Sequence, residues 1–169
     1  MEPRLDSLTE GQRRLWPELS ATPTEFVLYG GVAIASVDRG EPVKVSFFGL
    51  PGFANYEPPI SVENPSLQLA SLTDLAGTKA STIQKRAAVR DYIDLDVLLH
   101  EGGVELSSAL VAARKAYGAM FNPHLTLKAL CFFGDGDLDT LPQDLRERLV
   151  AAVKGLDLAE LERRLENEI

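Results

Sequence analysis

The residues able to do chemistry lie in the stretch 71–99, SLTDLAGTKASTIQKRAAVRDYIDLDVLL. Its spacing predicts two consecutive helices with a polar break near residues 85–89. In the first, Leu72, Leu75, Ala76, Lys79, Ala80 and Ile83 follow the i, i+3, i+4, i+7 rule, so Lys79 falls within the apolar stripe. In the second, steps of about 100° per residue put Asp91 between Leu95 and Leu98, with Tyr92 and Leu99 flanking. Asp96 and His100 fall on the opposite, polar side. A lysine and an aspartate thus each stand where a core residue belongs. The two stand twelve positions apart. The spacing also fits structural roles: a lysine stem laid along apolar surface, Asp91 as a helix N-cap, or a salt bridge locking two helices together. Lys79, Lys85, Arg86 and Arg90 gather in the same stretch, either as a patch able to hold a phosphate or as a solvated face at a helix junction.

The elements that must position these residues can be taken in chain order. Residues 5–20 carry Leu5, Leu8, Gln12, Leu15 and Leu19 at helical spacing, ended by Pro17 or the Ala-Thr-Pro after it. EFVLYGG (25–31) is an apolar strand that stops at Gly30 and Gly31, where backbone N–H groups can approach a ligand, or where the chain simply turns. After VAIAS and a turn at residues 38–42, VKVSFFGL (43–50) alternates as a strand. PGFANYEPPI reads as a loop and SLQLASL as a short strand, with Ser71 and Asp74 as a variant capping box. Beyond residue 100 the pattern is helical. VELSSALVAARKAYG has Leu106, Ala109, Leu110, Ala113 and Tyr117 in register and stops at Gly118. Asn122-Pro123 is a cap followed by a first-turn proline, and His124 reads as a surface residue. GDGDLD (134–139) lacks the spacing and terminal glutamate of a calcium loop and reads as a turn. Helices follow near 142–154 and 157–167, the last with Leu158, Leu161 and Leu165 inward and Glu160–Arg164 as an i,i+4 pair. The fold class is α+β: residues 1–70 form a helix and a small mixed sheet, residues 71–169 a helical part, within a single domain 1–169.

The 169 residues are 45% hydrophobic and 25% charged, ordinary values for a globular protein with a real core. No apolar run approaches the roughly 20 residues that cross a bilayer. The first residues lack the apolar core of a secretion signal, so the cytoplasm is the expected compartment. One cysteine, Cys131, excludes an internal disulfide and a cysteine-based zinc site, and within LKALCFF it reads as a small core residue. A net charge of −8 argues against a general nucleic-acid binder.

FVLYGGVAIA, VKVSFFGLP, LASLTDLAGTKASTIQKRAAVRDYIDLDVLL and NPHLTLKALCFFGD together resemble the AbiEii/AbiGii-type toxin family of nucleotidyltransferases. The resemblance covers residues 24–140. It implies a minimal nucleotidyltransferase core with a helical part, transfer of a nucleotide from an NTP to an acceptor such as tRNA, and a protein antitoxin as partner. It assigns Gly30 and Gly31 to the entry of the phosphate site, Lys79 to the triphosphate and Asp91 to activation of the attacking hydroxyl; Arg86, from the basic cluster, joins the candidate nucleotide-binding residues. Mg²⁺ is the cofactor it implies for an active member.

The sequence also departs from that family. An Asp-x-Asp strand after the glycine pair normally holds the divalent ion, and here VAIAS runs almost directly into DRGEPVKV, with Ser46 where relatives place a further acid. The two Asp-x-Asp strings are Asp94-Leu95-Asp96, on a helix, and Asp135-Gly136-Asp137, in a turn, so the sequence identifies no metal ligands. The expectation is therefore a nucleotidyltransferase-like protein with impaired or lost catalysis. The alternative is a non-catalytic interaction protein built on the same fold, pairing with a copy of itself or with another protein.

Overall fold

A computed structural model of the chain describes residues 10–21, 27–28, 34–35, 44–45, 54–63 and 66–167. Two compact units emerge, Met1–Pro51 with Pro58–Ser71, and Gly52–Glu57 with Leu72–Ile169. Strands occupy the first and helices dominate the second, so the architecture is α+β.

In the first unit a short helix α1 (Glu10–Leu15) tightens into a 3₁₀ turn, Trp16–Ala21. Pro17 has no N–H to continue an α-helical ladder, which is why the predicted helix changes geometry there. Trp16 and Leu19 are buried. Strands β1 (Val27–Leu28), β4 (Ile60–Glu63) and β5 (Ser66–Leu69) form a mixed sheet in the order β1-β5-β4. β1 is parallel to β5 and pairs Val27 with Gln68, whereas β4 is antiparallel to it, from Ile60 opposite Leu69 to Glu63 opposite Ser66. β2 (Ile34–Ala35) and β3 (Lys44–Val45) make a separate antiparallel pair. The sequence reading missed β4, whose β-type residues follow directly on a proline-rich run.

The second unit contains α2 (Leu72–Ile83), α3 (Val89–His100), α4 (Leu106–Tyr117), α5 (Pro123–Ala129), α6 (Gln143–Lys154) and α7 (Leu158–Glu166). α2 crosses α4 at Gly77, where an added Cβ would stand 2.8 Å from the Ala113 nitrogen and 3.0 Å from the Ala109 oxygen. Only a residue without a side chain permits that approach. Around the crossing Ala76, Ala80, Ile83, Leu95 and Leu110 are buried. Polar groups tie α5 into the same core: the Thr126 hydroxyl donates to the Ala80 carbonyl at 2.9 Å, and the Tyr92 hydroxyl to that of Ala129 at 3.3 Å. Asn122 caps α5 by accepting from the His124 N–H, with Pro123 in the first turn as its sequence predicts.

Several local expectations need correcting. Cys131 is exposed rather than in the core, because α5 ends at Ala129 and the helical phase that would turn Cys131 inward is lost. In α7 Leu161 is buried but Leu158, in its first turn, is exposed. Glu160 pairs with Arg163, at 2.6 Å, and leaves Arg164 to the hydroxyls of Ser107, Ser108 and Tyr56. The Asp74 carboxylate accepts from the backbone N–H groups of Tyr56 and Glu57, at 2.7 and 3.0 Å, and so fastens the segment before the β4–β5 hairpin to the start of α2. No helix among the described residues is long and apolar enough to cross a membrane.

Candidate functional site

Lys79 and Asp91 meet. Their helices are separated by a five-residue linker, and the apolar stripes of α2 and α3 face the same core, so both charged residues are drawn inside with it. Lys79 is 9% exposed and Asp91 is fully buried. The Lys79 Nζ lies 3.2 Å from Asp91 Oδ1 and 2.5 Å from Asp94 Oδ2. From the linker Arg86 donates through Nε to Asp91 Oδ2 at 2.7 Å and through Nη2 to Oδ1 at 3.2 Å. A guanidinium fork on a carboxylate is the strong, oriented form of this contact. The N-cap of α3 is Ala88, so Asp91 stands in the first helical turn and is not the cap.

The four groups form a closed set: two cations and two carboxylates, with no net charge. Burial by itself would raise the Asp91 pKa, but hydrogen bonds from Arg86 and then Lys79, with their charges, hold it below the usual carboxylate range. Arg86 is raised in turn, first by its hydrogen bond to Asp91 and then by that charge. Tyr92, next to Asp91 in sequence, is pushed up to about 12 by burial and by the charges of Asp135 and Asp91.

Of the residues picked out from the sequence, Lys79, Arg86 and Asp91 come together. Gly30 and Gly31 lie outside the described residues, as do Asp38 and Ser46. Lys85 turns away to stack its ammonium 5.3 Å from the centre of the Tyr117 ring, and Arg90 is exposed. Asp94 was not singled out, although its position three residues after Asp91 puts both on one helical face. Asp96 is a correction: placed on the polar side of α3, it is 5% exposed. α6 covers that side, and Arg148 grips Asp96 through Nε at 3.1 Å and Nη2 at 2.6 Å while also reaching Asp144 at 2.7 Å. His100 adds a contact from Nδ1 to Asp96 at 3.2 Å.

Three of the four carboxylates in the Asp-x-Asp strings have work elsewhere. Asp94 binds Lys79, Asp96 binds Arg148, and Asp137 Oδ1 accepts the Val89 N–H at 2.9 Å. Among the described residues no group of three or more His, Cys, Asp or Glu side chains could hold a metal ion. The carboxylates of the Lys79 site do not fit a divalent ion, which would have to displace an ammonium and a guanidinium to reach their oxygens.

A family model, the nucleotidyl transferase AbiEii toxin of type IV toxin–antitoxin systems, matches residues 18–167. The chain belongs to this family. No curated protein and no solved structure matches it. The AbiEii match contains β1 to β5 and the whole helical unit through α7, and with them Gly30, Gly31, Lys79, Arg86 and Asp91. The chain is thus nucleotidyltransferase-like and of a toxin family, and an antitoxin protein is the partner that such a system implies.

Proposed function

We propose that this AbiEii-family chain binds a nucleoside triphosphate at Lys79 and Arg86, and that its capacity to transfer the nucleotide to an acceptor such as tRNA is impaired. The observation that carries this reading is the buried network of Lys79, Arg86, Asp91 and Asp94. An ammonium held inside a protein by two carboxylates is costly to build. Asp94, at 39% side-chain exposure, is the carboxylate with room to swing out and yield Lys79 to a phosphate oxygen. Arg86 is fixed by Asp91 on one edge and is 62% exposed on the rest, so it presents further N–H donors to solvent. The glycine pair would bring backbone N–H groups to the same phosphates, as the resemblance implies.

Two features support impairment. Asp91, held below the usual carboxylate range, is a weak proton acceptor at neutral pH and serves better to orient cations than to deprotonate a hydroxyl. Asp94 and Asp96, moreover, are committed to Lys79 and Arg148, and Asp137 to the start of α3. The test is calorimetric titration of GTP, CTP, UTP and ATP with and without magnesium, on the wild type and on Lys79→Ala, followed by transfer of labelled NTP onto tRNA. Saturable binding that Lys79→Ala removes, with little or no transfer, is the expected outcome. Full transfer activity would overturn the impairment, and no heat with any nucleotide would overturn the binding and return the chain to the interaction-protein reading.

A further inference from the structure

The linker between α2 and α3 carries Arg86 and decides where α3 begins, yet it supplies no cap of its own. Ala88, the N-cap residue, has no side chain able to accept a hydrogen bond. The cap comes from 48 residues away in sequence, as Asp137 Oδ1 accepts the Val89 N–H at 2.9 Å. The same turn touches the linker a second time. Gly136 has φ +60°, and a Cβ there would stand 2.2 Å from the Ala87 carbonyl oxygen, so backbone packs directly on backbone. The turn is braced from behind. The Thr140 hydroxyl donates to the Asp137 carbonyl at 2.6 Å, and Arg146 donates to the carbonyls of Leu141 and Asp139. Phe133, just before the turn, meets the Tyr92 ring edge-on at 6.2 Å.

We propose that the turn at residues 134–140, through Gly136 and Asp137, is the positioning element of the Lys79–Arg86–Asp91 site. Asp91 is the third residue of α3, in its first turn, and its own N–H reaches back only to the Ala88 carbonyl at 3.0 Å, so the hold on that turn depends on where the linker stands. Fraying of that turn would part Asp91 from Lys79, and a shift of the linker would part the Arg86 fork from the carboxylate. Asp137 and Gly136 restrain both movements without touching any of the three side chains. The service this renders to nucleotide binding rests on the function proposed above, whereas the hold on Asp91 does not.

The experiment compares Asp137→Ala, Asp137→Asn and Asp157→Ala with the wild type. Asp157 caps α7 by accepting from the Ala159 and Glu160 N–H groups, so its loss removes the same kind of cap at a helix that carries no part of the site. The Asp91 carboxylate is titrated by ¹³C NMR, the melting temperature is recorded, and the four nucleotides are titrated calorimetrically. Asp137→Ala is expected to raise the Asp91 midpoint and to weaken the nucleotide bound by the wild type about tenfold or more. Asp137→Asn, which keeps an acceptor oxygen, restores both. Asp157→Ala lowers the melting temperature with the Asp91 midpoint unmoved. Should Asp137→Ala not fold, Asp137→Ser gives a smaller shift in the same direction. An Asp91 midpoint unchanged in the folded variant, or moved as far by Asp157→Ala, overturns the proposal. Wild-type protein that takes no nucleotide removes the proposed function, and the Asp91 midpoint then decides the positioning role by itself.

Discussion

Asp91 has no exposed surface and still remains ionised, because two cations compensate the water it has lost. Its folded-state pKa lies below the unfolded value of 3.8, so its stabilising contribution is complete above that value and is lost as pH falls through the folded pKa. Urea denaturation of the wild type and Asp91→Asn should therefore differ by a constant amount from neutral pH to about 5, and the difference should close below 3.8. A difference that persisted in strong acid would mean that shape, not charge, makes Asp91 matter. Lys79 tests the other side of the pair. Lys79→Ala leaves Asp91 with Arg86 alone, and removing one partner of a buried pair costs about 3–5 kcal/mol where nothing else compensates. With the Arg86 fork still in place the expected loss is about 2 kcal/mol, measured from the denaturation midpoint. Arg86→Ala should cost less, about 1 kcal/mol, because its side chain is 62% exposed and water takes over part of its role.

At the scale of elements, α3 is gripped at two points by the segment that follows α5. Asp137 holds its first N–H, and Arg148 holds Asp96 farther along the helix. A double-mutant cycle of Asp96→Asn and Arg148→Met should give a favourable, non-zero coupling energy, reduced by solvent because the Arg148 side chain is 37% exposed. Coupling near zero would make α6 a bystander to α3. This contact also marks how far the sequence can be read. The lengths of α2 and α3, the break between them and the inward direction of Lys79 and Asp91 all follow from a 3.6-residue period, which is a local property. The Asn122-Pro123 start of α5 is local for the same reason. Asp96 was placed on a solvent face because its own helix offers no hint that Arg148, 52 residues away, will cover it. Asp137 looked like part of an acidic turn because the N–H it accepts lies 48 residues upstream. Cys131 and Leu158 went wrong at helix ends, where one residue of boundary changes which way a side chain faces.

On the scale of the whole molecule, charge limits what the chain can take as an acceptor. With a net charge of −8 it has no general attraction for a polyanion, and the cations of its candidate site are already matched by Asp91 and Asp94. That balance favours a few local phosphate contacts over a general electrostatic attraction. Each phosphate neutralised by Lys or Arg adds close to one unit to the dependence of log affinity on log salt. For tRNA followed by fluorescence anisotropy from low to physiological salt, the expected slope is about −2 or shallower, the value of about two phosphate contacts. Random duplex RNA of the same length should show no saturation below about 100 μM at physiological salt. A steep slope, of the kind that six or more phosphate contacts produce, would show that the acidic balance conceals a basic track along the acceptor. Arg86→Ala should reduce the slope by about one unit if that side chain meets a phosphate, and an unchanged slope in this variant would place the acceptor elsewhere on the protein.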